Sequence, residues 1–467
     1  MKNSIVRICS IELRGFKNIQ HGLIEMPSSL NHAIFSTTSD LLGIYGQNGS
    51  GKTAVIEAME FIQLLLIGNP LPAEAIHYIS KETDTCTITV TFSVTYQEKA
   101  SKVEYSVSLK RLDNNSFEIS QESLKDSVWL DFAFKNKRTL INLAISDNVI
   151  TLTPKFRYNS LISAKKNNEV NLKVAQKIAQ KELTSFIFSK ESRKLFLSSS
   201  EEMIEDYAYI ILALHRYACI NLFVISNAHT GSISMNFLLP FAFRLDMGTT
   251  VTKGNLPIRL DAPSLISKEH YSIVREIVSE MNIVLHTLIP GLSIGIHDFE
   301  EQLLEAGTSG YKIQLVSQRG DITIPLQYES EGILKIISIL NALMCVYTNS
   351  SMCLMIDELD SGIYEYLLGE LLSVFEKGAK GQLIFTSHNL RPLEMLNKSS
   401  IIFSTTNPKQ RYIRLQNVKT NNNLRDLYLR SITLGGQKED VYDETDAVEI
   451  GRAFRRAGKV VPFAEES

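Results

Sequence analysis

Apolar and polar positions alternate from Ile5 to Leu13, a period-two pattern that predicts a strand, and a second strand is expected at Gly22–Met26 after the turn Arg14-Gly15-Phe16-Lys17-Asn18-Ile19. The short apolar run Leu41–Tyr45 predicts a buried strand. From Ala54 to Leu66 the spacing becomes helical, with Val55, Ile56, Met59, Ile62 and Leu65 apolar. Alternation returns at Thr85–Tyr96 and Val103–Leu109, with shorter strands expected at Ser116–Ser120 and Val149–Leu152. The turn signals Gln97-Glu98-Lys99 and Asp113-Asn114-Asn115 separate the first three, so residues 85–155 read as an antiparallel meander.

From Leu161 to Tyr217 the pattern is helical, with Lys165, Lys166, Lys173, Lys177 and Lys181 set among Leu172, Val174, Ile178 and Leu183. Two readings of these lysines stay open, a nucleic-acid-binding face and the solvated side of an amphipathic helix. The apolar positions sustain no long heptad repeat, so any coiled-coil arm is short. Residues 218–262 are mixed, with loops suggested at Gly248 and Gly254, and Lys268–Leu288 is helical up to Pro290-Gly291. Strands are expected at Leu292–Phe299, Lys312–Gln318 and Ile322–Leu326, the last two joined by the turn Arg319-Gly320-Asp321. A very apolar helix, Ile333–Tyr347, follows with Ser330 placed as its N-cap, and Cys353–Ile356 and Gly381–Ser387 read as buried strands.

Composition adds little to this picture. The 467 residues suffice for two or three domains, and 44% apolar content, 21% charge and a net charge of -3 are ordinary for a soluble protein. That balance neither demands nucleic acid nor forbids a local basic patch. Five cysteines (Cys9, Cys86, Cys219, Cys345, Cys353) form no CxxC pair or zinc spacing and read as reduced thiols of a cytoplasmic protein. The charges at Arg7, Glu12, Arg14 and Lys17 exclude a signal peptide reading of the N-terminus. Tyr207–Ser226 is the most membrane-like run, but Arg216 near its centre would cost ~2.5–3.5 kcal/mol at a bilayer midplane. A buried core helix is expected there, and no membrane contact.

The chemistry gathers at three places. Gly46-Gln47-Asn48-Gly49-Ser50-Gly51-Lys52-Thr53 fills every position of G-x-x-x-x-G-K-[S/T], between an expected strand and an expected helix. Glycines at these positions let backbone N–H groups close around phosphate oxygens, and the helix N-terminus adds its positive dipole end. Lys52 is expected on the outer phosphates and Thr53 on Mg²⁺, so the chain should bind ATP with Mg²⁺. The strand Cys353–Ile356 ends in Asp357-Glu358. Asp357 is expected in the Mg²⁺ coordination sphere and Glu358 on the attacking water. The strand Gly381–Ser387 leads into His388, placed where a histidine sensing the γ-phosphate would lie. Ser330 and the N–H groups after it offer either a plain helix cap or an anion-binding element.

An early hairpin, phosphate loop, long insertion, Ser-x-Gly helix, Ile-Asp-Glu strand, Asp turn and His switch occur here in the order found in ABC-type ATPase heads. The chain resembles the branch that contains RecF, SMC and the overcoming-lysogenization-defect (OLD) ATPases, over most of residues 1–405. The resemblance implies an α/β fold: an ABC-type P-loop ATPase head, a mixed sheet with an antiparallel meander, carrying an inserted helical region. It further implies that Ser330 and Gly332 form the signature element, reaching the γ-phosphate bound by an opposing subunit, that Asp360 is the D-loop residue and that His388 is the H-loop residue. The signature reads Glu-Ser-Glu-Gly-Ile in place of Leu-Ser-Gly-Gly-Gln.

Leu424-Arg425-Asp426-Leu427-Tyr428, Leu434-Gly435-Gly436-Gln437 and Asp357 to Glu365 are similar to stretches in ATPases of bacterial phage-defence operons, those of the PARIS system first and of Septu second. This implies a homo-oligomer with ATP-dependent head contacts that holds a separate effector nuclease of TOPRIM type and responds to a phage-encoded trigger protein. The alternative is a RecF-like DNA repair ATPase, with DNA as partner. The expected parts are 1–157 for the N-terminal half of the head, 158–290 for a mainly helical insertion, 291–435 for the C-terminal half, and 436–467 for a tail. In that tail, acidic residues (Glu439, Asp440, Asp443, Glu444, Asp446) precede a short helix pattern at Val448, Ile450, Ala453 and Phe454, flanked by Arg452, Arg455, Arg456 and Lys459. The helix either packs back on its own head or anchors a partner.

Overall fold

The computed structural model describes residues 4–30, 33, 35–97, 99–113, 115–130, 133–146, 149–197, 202–226, 231, 233, 235, 237–246, 251–303, 309–416, 423–443 and 445–457. Glu98, Asn114, Gly248, Glu444 and Lys459, used in the sequence reading, lie outside the described residues.

The N-terminal hairpin and the meander form one antiparallel sheet. Its path runs Ile19–Glu25, Ile5–Phe16, Thr85–Tyr96, Lys99–Arg111, Phe117–Leu130, Arg138–Ser146, Val149–Thr153. Two features exceed the sequence expectation: the strand from Phe117 continues to Leu130, and Arg138–Ser146 is an additional strand. Polar residues hid the first. Glu122 and Asp126 interrupt the apolar alternation yet are both buried, each satisfied by a partner. Asp126 receives Arg138 Nε and Nη2 at 2.7 and 3.0 Å. Glu122 accepts from Tyr105 Oη at 2.8 Å, from Ser185 Oγ and from Phe186 N at 2.8 Å, which fixes the segment following the helix Asn168–Glu182 against the sheet.

A second sheet carries the expected nucleotide elements. Its order is Leu222–Ile225, Cys353–Ile356, Gln382–Thr386, Asp40–Tyr45, Ile401–Ser404, Tyr412–Ile413, parallel except for the last strand. The strand leading to the phosphate loop and the strand ending in Asp357 are thus separated by the one that leads to His388. Alternation puts Leu42 and Ile44 in a core shared with the helix Lys52–Ile67 and the antiparallel sheet. Leu41 and Tyr45 face a second core with the helices Lys268–Leu288, Glu331–Thr348 and Glu365–Gly378. Burial on both faces is why these strands read as continuous apolar runs.

Gln382 clips the two sheets together. Its amide accepts from Ile8 N at 2.7 Å and donates to Ile8 O at 2.8 Å, where the register of the first strand slips between Ile8 and Ser10. A side chain thus satisfies backbone groups that the slipped ladder leaves unpaired. Beside it the buried Arg7 and Asp40 lie 3.7 Å apart. Arg7 donates to the carbonyls of Lys380 and Thr38 at 2.7 and 2.8 Å, and Asp40 accepts from Ser28 Oγ at 2.7 Å.

Within residues 158–290, helices run to Ile220, after which Leu222–Ile225 adds an edge strand to the parallel sheet and Leu238–Asp246 pairs with Val251–Arg259. The membrane-like run is therefore a buried helix and a core strand. Among the described residues, one helix, Glu331–Thr348, is long and apolar enough to cross a membrane, and 67% of its apolar window is buried in the core. The helix Asn168–Glu182 buries Leu172, Ala175 and Ala179 and leaves Lys173, Lys177 and Lys181 exposed, with Lys173 paired to Glu169 at 2.7 Å. The tail divides in two. Residues 437–443 pack on the head through buried Val441 and through Thr406 N to Asp440 O at 2.9 Å. The helix Ala447–Ala457 buries none of its residues.

Candidate nucleotide site

The phosphate loop, Asp357-Glu358 and His388 each follow the carboxyl end of a parallel strand, where chain reversals leave backbone groups and side chains free to converge. Ser330, Gly332 and Lys335 belong instead to the start of the helix Glu331–Thr348. The loop Gly46–Thr53 leaves the strand Asp40–Tyr45 and closes into the helix that starts at Lys52. Gly46 has φ +148, and a Cβ there would stand 2.0 Å from Ser404 Oγ, so only glycine fits between the loop and the neighbouring strand. The loop is held from outside by Ser50 Oγ at 2.5 Å from Ser404 Oγ, by Asn18 Nδ2 donating to Gly49 O at 2.7 Å, and by Tyr412 Oη donating to Gly51 O at 2.6 Å.

Lys52 is buried, and its ammonium donates to Gly46 O and Gln47 O at 2.8 and 2.9 Å. Burial lowers its pKa, opposed by the negative charges of Asp357, Glu358 and Asp360. Thr53 Oγ1 lies 3.3 Å from Asp357 Oδ1, joining two segments 304 positions apart. Asp357 Oδ1 also accepts from Thr386 Oγ1 at 2.5 Å, and Thr386 Oγ1 in turn accepts from Glu358 N at 2.7 Å. The other carboxylate oxygen, Asp357 Oδ2, is buried without a hydrogen-bond partner among the described residues. A buried unpaired carboxylate oxygen beside a threonine hydroxyl is costly unless a cation joins it, so the donor set fits Mg²⁺ on Thr53 and Asp357.

Glu358 stands at φ +49, a left-handed backbone uncommon outside glycine, asparagine and aspartate. Lys335 Nζ donates to its carbonyl. Lys335 is buried, its pKa lowered by desolvation against the attraction of Asp360, Glu358, Glu331 and Asp357. Sequence reasoning missed Lys335. The signal was a single cation inside the apolar helix Glu331–Thr348, a position where a charge is retained only with partners.

Asp360 Oδ2 accepts from His388 N at 3.1 Å and Asn389 N at 3.0 Å, so the expected D-loop aspartate shapes the backbone that presents the exposed His388. Ser330 is exposed and caps its helix through Ile333 N at 3.4 Å. Gly332 packs on Gly362: a Cβ on Gly332 would stand 1.8 Å from Gly362 O. Thr53 is thus bonded to Asp357, the charges of Asp357 and Glu358 act on Lys52, and Lys335 holds the Glu358 carbonyl. Ser330 and His388 are exposed, as are Tyr328 and Tyr364, which lie close in sequence to Gly332 and Gly362. Gln47 Oε1 accepts from Asp443 N at 2.7 Å, a contact between phosphate loop and tail that no sequence pattern announced.

No protein-family model matches the sequence, and no curated protein matches it. Among solved structures, the Smc head bound to the C-winged helix domain of ScpA is similar at 13% identity and TM-score 0.41, over 87% of this chain and 97% of that one. The Smc head domain with an extended coiled coil bound to the C-terminal domain of ScpA derived from Pyrococcus furiosus is similar at 12% identity and TM-score 0.37, over 88% and 96%. The SMC head domain from Thermotoga maritima is similar at 13% identity and TM-score 0.36, over 88% and 99%. The fold is of mixed α/β architecture, with a parallel sheet bearing the phosphate loop beside an antiparallel one, the topology expected of an ABC-type P-loop head.

Proposed function

We propose that this chain is an ABC-type ATPase that binds and hydrolyses ATP between two copies of itself. The observation that carries the reading is the meeting of Thr53 Oγ1 and Asp357 Oδ1 at 3.3 Å, beside the buried Lys52 and with Asp357 Oδ2 unsatisfied. The loop Gly46–Thr53, through Gly46, Gln47, Asn48, Gly49, Ser50 and Gly51, cradles the phosphates, and Lys52 sets its charge on the outer ones. Thr53 and Asp357 hold Mg²⁺, which when bound neutralises phosphate charge. Glu358 orients and polarises the attacking water, and His388 contacts the γ-phosphate from the strand between the two. Ser330 and Gly332 face the phosphates of the opposing copy, and Asp360 keeps His388 in place. The exposed Tyr328 and Tyr364 beside Ser330 support an interface on this face, since aromatic side chains concentrate at such surfaces.

The protein works in the cytoplasm as part of an anti-phage system, where the oligomer holds a separate effector nuclease of TOPRIM type and releases or activates it when a phage protein is sensed. The resemblance of Asp357 to Glu365 and of residues 424–437 to defence ATPases supports this. The lysines at 173, 177 and 181 lie on a solvated helix face, Lys173 already paired with Glu169, which favours this over a DNA repair clamp.

Two variants test the ATPase reading. Lys52→Ala should lose ATP affinity, because a charge on the outer phosphates disappears. Glu358→Gln should keep binding while turnover falls on the order of 10²–10³-fold. Turnover at the wild-type rate in Glu358→Gln sinks the assignment of Glu358.

A further inference from the structure

The helix Ala447–Ala457 is built to form and built to dock. Asp446 caps it, accepting from Val448 N at 2.7 Å. Glu449 lies in its first turn and Arg455 and Arg456 in its last, as its dipole favours. Ala447, Ile450, Gly451 and Phe454 fall at i, i+3, i+4 and i+7, the spacing of a helix that lays one face into a groove. Yet Val448, Ile450 and Phe454 are 57%, 46% and 77% exposed. An 11-residue helix is marginal in isolation, and among the described residues this one has none buried to hold it.

The head carries a matching surface at its other end. A groove of about 500 Å³ runs between the helices Lys268–Leu288, Glu331–Thr348 and Glu365–Gly378, with Val284, Leu288, Leu343, Tyr347, Leu371 and Val374 among its walls. Among the described residues, Glu370 is the one charged residue that lines it. Glu280, not itself a lining residue, lies one turn before Val284 on the same helix, and burial together with the charge of Glu276 raises its pKa. Arg452, Arg455 and Arg456 on the exposed helix supply the complementary charge.

A helix cannot readily serve its own groove here. It leaves the head at Asp443, tied to Gln47 at the carboxyl ends of the parallel strands. The groove is formed by the far half of Glu331–Thr348, next to the amino end of the strand Cys353–Ile356. We propose that the helix Ala447–Ala457 of one copy docks into the groove between Val284, Leu343 and Val374 of a second copy, giving an interface separate from the nucleotide site. The contact joins unlike surfaces and its arginines face Glu370 and Glu280. It does not rest on the ATPase reading.

The test measures mass by light scattering on the full chain, without nucleotide and with a chelator present, over a range of concentrations. The wild type should associate. Phe454→Asp and Val374→Asp should each weaken association about tenfold or more, the effect of removing a central apolar anchor. Both side chains are exposed (77% and 53%), so both variants should keep the wild-type circular dichroism spectrum. Mixing the two variants should restore a pair, because the intact helix of Val374→Asp meets the intact groove of Phe454→Asp. A monomeric wild type, a wild-type mass for either variant, or a mixture that stays monomeric overturns the proposal. So does a Phe454→Asp protein that loses thermal stability at unchanged mass, since the helix then packs on its own head.

Discussion

Replacing Gly332 with alanine separates two roles that the Ser-x-Gly element could play. If Gly332 serves only an approach to phosphate on an opposing subunit, Gly332→Ala leaves the isolated chain as stable as before. The structure gives it a role within the chain. The added Cβ would lie 1.8 Å from Gly362 O and 2.7 Å from Gly362 C, and both atoms belong to backbone that no rotamer change can move. Carbon atoms pack best at about 3.5–4.0 Å, so the helix start and the loop after Asp360 must part by roughly 1.5 Å or more. Overpacking of this kind costs typically ~1–3 kcal/mol, and a backbone clash belongs at or above the top of that range. With a urea m-value of about 3 kcal/mol per M, a loss of ~3 kcal/mol moves the unfolding midpoint down by about 1 M. The assay is urea unfolding without nucleotide, beside Ser330→Ala, which removes an exposed cap and should cost ~1 kcal/mol or less. An unchanged midpoint in Gly332→Ala, with ATPase activity lost, refutes the intrachain role.

Two further outcomes are expected. Lys335→Met removes the cation that holds the Glu358 carbonyl, and displacing Glu358 by about 1 Å should cost turnover on the order of 10²-fold while ATP affinity stays near wild type. A wild-type turnover number would show that Glu358 keeps its place without the lysine. Lys253, whose ammonium donates to Leu222 O and lies 4.5 Å from the Phe223 ring centroid, has its pKa lowered by burial to about 8. The unfolded chain therefore holds this proton more tightly than the folded one, so stability from this group is absent below about pH 8 and rises as pH climbs to the ordinary value of 10.5. The gain is up to roughly 3 kcal/mol at ~1.4 kcal/mol per pH unit. Denaturant midpoints of wild type and Lys253→Met at pH 7.5 and 10 check it: the variant should lack this rise, and parallel curves would refute it.

The parts of the fold that the sequence made legible were those whose signal is local. The helix Lys268–Leu288 and the strand Thr85–Tyr96 follow uninterrupted apolar periodicity between clear stops, and the phosphate loop is a contiguous pattern in the right setting. Where long-range pairing decided the outcome, local pattern failed. Local pattern ends the strand Phe117–Leu130 early because Glu122 and Asp126 read as surface residues, and their burial depends on partners elsewhere in the chain: Tyr105, Ser185 and Phe186 for Glu122, and Arg138 for Asp126. Leu222–Ile225 falls in a stretch of mixed pattern, since four apolar residues after a helix do not say which sheet they join. Residues 437–443 read as part of an acidic tail, yet they bond Gln47, Thr406, Asn407 and Gln416 of the head. The site shows the same division: Thr53 and Asp357 could be named from motifs, whereas Thr386 and Lys335 act through geometry alone.

The contacts around Glu358 also say how a shift at Ser330 would reach Glu358. Ser330 and Gly332 open the helix Glu331–Thr348, and Lys335 extends from its first turns to the Glu358 carbonyl. Gly332 bears on Gly362, four residues after Glu358, and Asp360 between them holds the backbone of His388 and Asn389. Helix start, Asp-Glu loop and His loop are therefore one packed body, because Gly332 leaves no gap for the helix to slide over the loop. A displacement of Ser330 by a second copy must be shared by Glu358 and His388, and close-packed interiors transmit such shifts with little loss. The Glu-Ser-Glu-Gly-Ile sequence keeps the serine and the glycine that the mechanical link requires, and of the positions where it departs from Leu-Ser-Gly-Gly-Gln, Glu331 bears on the link through its charge on Lys335 and not through packing. Exchanging Glu331 for glycine should accordingly change ATPase rate and the urea midpoint far less than Gly332→Ala does, and an equal loss of stability in both would break the argument.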